Sequence, residues 1–138
     1  METTVDKNKV IAEFMGLTYS SETKEYYLPI YNSGDWWNED ELSYHTSWDW
    51  IMPVVEKIES MEYWTEICNS PLGTKARPDR LMWFEIGKDN HRDLLRDDCY
   101  TRIARVEAGS KIEAVYNAVY EFITWWNKEK SGGNHTHN

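Results

Sequence analysis

A histidine stands four residues before an aspartate in YHTSWDWIMPVVEKIE (Tyr44–Glu59). On a helix, His45 and Asp49 would share one face, a workable spacing for two metal ligands or an acid–base pair. A metal site needs a third and usually a fourth ligand, and the chain has neither an HExxH pattern nor a Cys/His cluster. The simpler reading is a helix entry. Thr46 or Ser47 serves as N-cap, Thr46-x-x-Asp49 resembles a capping box, and Asp49 complements the helix dipole. No metal ligand and no cofactor is assigned.

A second group is KDNHRD, where His91 lies between Asp89 and Asp93. A small metal-dependent hydrolase or nuclease could use such residues. The surrounding alternation of charges reads more simply as a solvated turn. The G-x-S-x-G, P-loop and G-x-G-x-x-G patterns are missing. Cys68 and Cys99 share no CxxC spacing and have no evident base beside them, so they read as reduced structural thiols. No catalytic residue is assigned, and a non-enzymatic protein is expected.

The binding candidates form two sets. Lys75, Arg77 and Arg80 fall in one loop, Arg102 and Arg105 on a predicted neighbouring strand. With Trp83 as a stacking surface, Arg77, Arg80 and Arg102 have the composition of a pocket for a nucleotide-like anion. The competing reading is that these arginines pair with the surplus carboxylates. The second set is Asp35, Trp36, Trp37, Glu39 and Asp40, an acidic, tryptophan-bearing loop suited to docking a protein partner.

The elements that must position these residues follow from periodicity. A first helix is predicted over Thr4–Met15, closed by Gly16. EYYLPIY (Glu25–Tyr31) reads as a strand, placed at a sheet edge by Pro29. Ser33–Leu42 reads as a loop. Ile51, Val54, Val55 and Ile58 fall at i, i+3, i+4 and i+7, one face of a second helix. Pro53 requires that helix to start late or to bend. Glu62–Cys68, Leu81–Ile86 and Tyr100–Glu107 are strand candidates, of which two or three form an antiparallel meander. Ser110-Lys-Ile-Glu113 matches a capping box, and a stripe from Ile112 to Trp126 makes a long last helix. The expected fold is α+β, in the order α-β-α-β-β-(β)-α, with helices packed on a small, mainly antiparallel sheet. One domain spans residues 1–130, and 131–138 reads as a disordered tail.

The 138 residues carry 24 acidic and 15 basic side chains, a formal charge of −9. That balance argues against general nucleic-acid binding and favours a basic protein surface as partner. Eight Trp and nine Tyr supply much of the apolar area; at least five of the tryptophans are expected to be core or half-buried. The polar start after Met1 lacks a signal pattern, and no apolar run reaches the roughly 20 residues of a membrane span. A cytoplasmic location is expected, and a homodimer suits so aromatic a small domain.

IAEFMG (Ile11–Gly16), HTSWDWIMPVVEKIE (His45–Glu59) and SKIEAVYNAVYEFITWWN (Ser110–Asn127) together resemble the phage ABA sandwich domain, a family of small bacteriophage and prophage proteins. In that family a first helix ends in glycine, an ST/SW-D helix start precedes a VVEKI/L stripe, and the last helix follows a small-residue cap. The resemblance implies an α/β/α sandwich-like shape and residence in a bacterial host cytoplasm. It carries over no catalytic residue. Pro53 and the Trp36–Trp37 pair depart from the pattern. The function expected is that of an accessory binding protein, acting on host machinery or host defence through a host protein or by sequestering a nucleotide-type ligand. The alternatives are the hydrolase above and a structural part of the virion.

Overall fold

A computed structural model describes residues 2–27, 36–69, 82–89 and 100–136. Among these, three helices and two antiparallel three-stranded sheets make the α+β fold that the periodicities predict.

Helix α1 spans Thr4–Phe14. Its start is a capping box. Thr3 Oγ1 accepts from the Asp6 amide at 3.1 Å, and Asp6 Oδ2 accepts from the Thr3 amide at 3.2 Å. Its end is a Schellman turn: the Leu17 amide donates to the Ala12 carbonyl and the Gly16 amide to Glu13, both at 3.0 Å. Gly16 sits at φ +89°, where a side chain would be strained.

Strands β1 (Thr18–Ser20), β2 (Glu25–Tyr27) and β3 (Trp36–Asn38) form the first sheet in that order. Two sequence expectations change here. Residues 36–38, read as loop, pair with β2 through Tyr26 opposite Trp37 and Tyr27 opposite Trp36. The strand expected at an edge is instead central. Pro29, on which the edge placement rested, lies outside the described residues. A 3-10 turn, Glu39–Glu41, follows β3 and is capped by Asn38.

Helix α2 spans Trp48–Ser60. The expected Thr46–Asp49 capping box does not form; Ser47 is the N-cap and makes no side-chain capping bond. The start at Trp48 leaves Pro53 inside the helix. It lies at the second turn, where the Asp49 carbonyl loses its usual i+4 donor. Ile51, Val54, Val55 and Ile58 are buried, as their spacing requires.

Strands β4 (Trp64–Asn69), β5 (Met82–Asp89) and β6 (Tyr100–Ala108) make the second sheet, an antiparallel meander. β4 starts two residues later than predicted because Glu62 takes φ +73°, outside strand geometry. Helix α3 runs Lys111–Thr136, past Ser131 into the segment read as tail. Ser110 Oγ accepts from the Glu113 amide at 3.3 Å and so caps it.

The second sheet turns Phe84, Ile86, Ala104 and Ala108 toward α3, whose Ala118, Val119, Phe122 and Ile123 are buried against them. Alanines at these positions let the helix lie close to the strands. α1 and α2 pack on α3, and a Thr65 hydroxyl to Glu59 carboxylate bond ties α2 over β4. The helices thus share one side of this sheet. Phe122 is the meeting point, with Phe14, Tyr63 and Trp125 rings at 6.4, 4.8 and 5.7 Å. Six of the eight tryptophans are half-buried and none fully buried, so they rim the core rather than fill its centre.

Candidate binding surfaces

The aromatic rim opens into a groove of about 250 Å³ lined by Met15, Leu17, Trp37, Tyr44, Asp49, Trp50 and Pro53. Three elements build it. The Schellman turn of α1 presents Met15 and Leu17. β3 presents Trp37, and the first turns of α2 present Trp50 and Pro53. Trp50 is held edge-on to Trp37 at 5.5 Å and to Tyr44 at 5.1 Å, the arrangement that aromatic quadrupoles favour. The walls are therefore fixed rings, while Asp49 stands exposed at the lip. Tyr44 is buried, which raises its phenol well above the ordinary tyrosine value.

Trp36 and Trp37 were expected to act as one patch. On a strand, consecutive side chains point to opposite faces. Trp37 turns to α2 and the groove, whereas Trp36 is 43% exposed and packs on Tyr27 at 4.5 Å. Of the acidic residues in this set, Glu39 pairs with Lys9 at 3.1 Å. That contact first, and then the nearby charges, raises the Lys9 ammonium above its usual range despite partial desolvation. Glu41 closes the cap on Asn38 at 2.9 Å. Asp40 is exposed, and Asp35 lies outside the described residues.

Of the anion set, Trp83 and Arg102 come to the same side of the second sheet, the side away from α3. The register sets Trp83 beside Glu107, Glu85 beside Arg105 and Gly87 beside Arg102. Both described arginines are already engaged. Arg102 meets the Glu85 carboxylate in an ion pair, and Arg105 pairs with Glu107 at 2.7 Å while its guanidinium lies 4.7 Å from the centre of the Trp83 ring. Arg77 and Arg80 lie outside the described residues, as do His91 and Asp93; of Asp89 only the backbone is described.

His45 takes a packing role. The buried Asn8 amide donates to the Leu42 carbonyl at 2.9 Å and faces His45 Nδ1 at 3.1 Å. Nδ1 must then accept, which leaves the proton on Nε2. The ring also lies 5.9 Å from Tyr116. Among the described residues no group of three His, Cys, Asp or Glu could hold a metal ion, and no helix is long and apolar enough to cross a membrane.

A cleft of about 460 Å³ lies between Phe14, Lys57, Met61 and Trp126, with Glu13 and Lys130 at its mouth. Lys57 donates to the Phe14 carbonyl and lies over the Phe14 ring at 4.5 Å, so it caps the C-terminus of α1. Burial, and then the charge of Lys130, lowers its ammonium below the ordinary lysine range.

The groove was not foreseen from sequence. Its lining comes from three separated segments, and its one local signal was the misfit of Pro53 in a helical stripe. No protein-family model matches the chain, no curated protein matches it, and no solved structure matches it.

Proposed function

We propose that this is a non-enzymatic binding protein whose aromatic groove takes an apolar anchor side chain from a basic segment of another protein. The observation that carries the reading is the groove itself. Trp37, Tyr44 and Trp50 hold each other edge-on around an open apolar trough, with Asp49 at its lip. Pre-set aromatic walls bind an inserted side chain with little further ordering cost. The net charge of −9 attracts a basic partner and speeds its approach. In the phage or prophage setting that the sequence resemblance suggests, the partner is a host protein.

The nucleotide reading has less support, because Arg102 and Arg105 already face carboxylates. A phosphate would have to displace Glu85 or Glu107 to reach them.

The test is an NMR titration with a short peptide carrying one leucine or tryptophan between lysines, and with its glutamate counterpart. The basic peptide is expected to shift the signals of Met15, Leu17, Trp37 and Trp50, and the acidic one to leave them in place. Trp50→Ala should abolish the shifts at Met15 and Leu17. Groove signals that stay still with the basic peptide at millimolar concentration overturn the proposal.

A further inference from the structure

We infer that the cleft where the C-terminal ends of α1 and α2 meet α3 is a binding site for a small aromatic carboxylate, its ring seated between Phe14 and Trp126 and its charge met by Lys57 and Lys130. Helical spacing brings both kinds of group there. Lys57 and Met61 stand four residues apart along the last turn of α2 and its cap, and Trp126 and Lys130 four apart on α3. Each helix therefore turns one apolar side chain and one ammonium to the cleft. α1 closes it with Phe14 and, at the mouth, Glu13. A volume of about 460 Å³ is within the usual range of small-molecule sites. The cleft shares no lining residue with the groove of Trp37 and Trp50, so the two are separate sites.

The walls are set before a ligand arrives. Trp126 stacks on Phe122 with ring centres 6.5 Å apart and planes 10° apart, and Phe14 stands edge-on to the same ring at 6.4 Å. Phe122 is fully buried and anchors both. Two fixed rings and the Met61 thioether suit a flat aromatic body, and walls already in place lower the ordering cost of binding.

The lining carries two ammoniums and one carboxylate, a local positive excess in a chain of net charge −9. Among the described residues neither Lys57 nor Lys130 forms an ion pair; the pairs present hold Lys9, Arg102 and Arg105. Lys57 donates one N–H to the Phe14 carbonyl, which leaves two donors for a ligand. The other carbonyls at the end of α1 are also taken. Ile11, Ala12 and Glu13 accept from the Met15, Leu17 and Gly16 amides, each at 3.0 Å. The negative end of that helix is thus covered and does not oppose an anion. Burial, and then the charge of Lys130, disfavours the Lys57 ammonium. A carboxylate held between the two lysines offsets their repulsion and accepts charge-assisted hydrogen bonds from both. With Glu13 beside them, the balance suits a single negative charge rather than a phosphate dianion.

NMR titration of the full chain with 2-naphthoate tests this, alongside 2-naphthalenemethanol, which keeps the rings and lacks the charge. 2-Naphthoate is expected to shift the Phe14 and Met61 amides and the Trp126 indole, and to leave the signals of Trp37 and Trp50 in place. It should bind about tenfold more tightly than the alcohol, and Lys57→Gln should remove that preference. No shift at millimolar 2-naphthoate, shifts centred on Trp37 and Trp50, equal binding of the alcohol, or a preference that survives Lys57→Gln overturns the inference. Lys57 also caps α1, so if Lys57→Gln unfolds, Lys130→Gln decides, because that side chain is exposed. A loss of about threefold in 2-naphthoate affinity then upholds the site, and unchanged affinity overturns it.

Discussion

The Trp64 indole packs closely against Gly87, its cross-strand neighbour. A Cβ built on Gly87 would overlap the indole and stand 2.8 Å from the Thr101 carbonyl on the other side. The register also shifts at Ile86/Gly87, so the strand is irregular where the indole and the β6 backbone crowd Gly87. Gly87→Ala must move either the tryptophan or β6. The expected cost is about 1–3 kcal/mol, the usual range for overpacking. Urea unfolding followed by circular dichroism measures it, and a variant as stable as the parent would show that the indole or β6 shifts aside at no cost.

On the same face, Glu85 is 5% exposed, and its charge is met by Arg102. The contact is ionic, without a well-directed hydrogen bond to that carboxylate oxygen. Arg105 has an exposed partner in Glu107. Removing a partner from a buried carboxylate costs far more than breaking a solvated pair. Arg102→Ala should therefore lose about 1–3 kcal/mol, and Arg105→Ala no more than about 1 kcal/mol. Adding Glu85→Gln to Arg102→Ala should recover part of the loss. Equal losses in the two arginine variants would mean that water reaches Glu85.

The long elements were legible because their apolar residues repeat at helical spacing over several turns. The stripe Ile51, Val54, Val55, Ile58 and the one from Ile112 to Trp126 can be buried in one way only, and the structure buries them so. Of the first sheet, only the strand that begins at Glu25 was legible. Its strands are three residues long, too short to display a period of two, and Gly34 with the acidic run after Asn38 looked like loop chemistry. That miss carried over to the site. With Trp36–Asn38 read as loop, Trp36 and Trp37 seemed to share a surface, whereas strand geometry parts them. The groove was hidden for another reason. Met15, Trp37 and Trp50 are far apart in sequence, and only the packing of α1, β3 and α2 brings them together.

The Asn8 amide bridges α1 to the segment before α2. It is 1% exposed, its Nδ2 serves both the Leu42 carbonyl and His45 Nδ1, and its own Oδ1 finds no partner among the described residues. Leucine at this position keeps the branched shape but abandons two acceptors, the Leu42 carbonyl and His45 Nδ1. Asn8→Leu is expected to cost about 1–3 kcal/mol, because each orphaned group keeps its desolvation penalty. Thermal or urea unfolding gives the number. A stabilised variant would mean that the unpaired Oδ1 outweighs both bonds.

Alkali should unfold the protein through its buried phenols. Burial first, and then the neighbouring Tyr120, pushes Tyr116 up to about 12, and burial raises Tyr44 further. Tyr116 is 6% exposed and its hydroxyl donates to the Thr4 carbonyl at 3.4 Å. An unfolded tyrosine ionises near pH 10. Below that value both states hold the proton and the stabilisation is complete. Above it the unfolded chain loses its protons first, so stability falls as pH rises from about 10 towards 12, by up to about 1.4 kcal/mol per pH unit for each such tyrosine. Urea midpoints recorded over this range should drop steeply in the parent and less steeply in Tyr116→Phe, which has no proton to lose. A midpoint that stays level to pH 12, with phenolate absorbance rising near pH 10, would place these rings in contact with water and would take the α1–α3 seam out of the core.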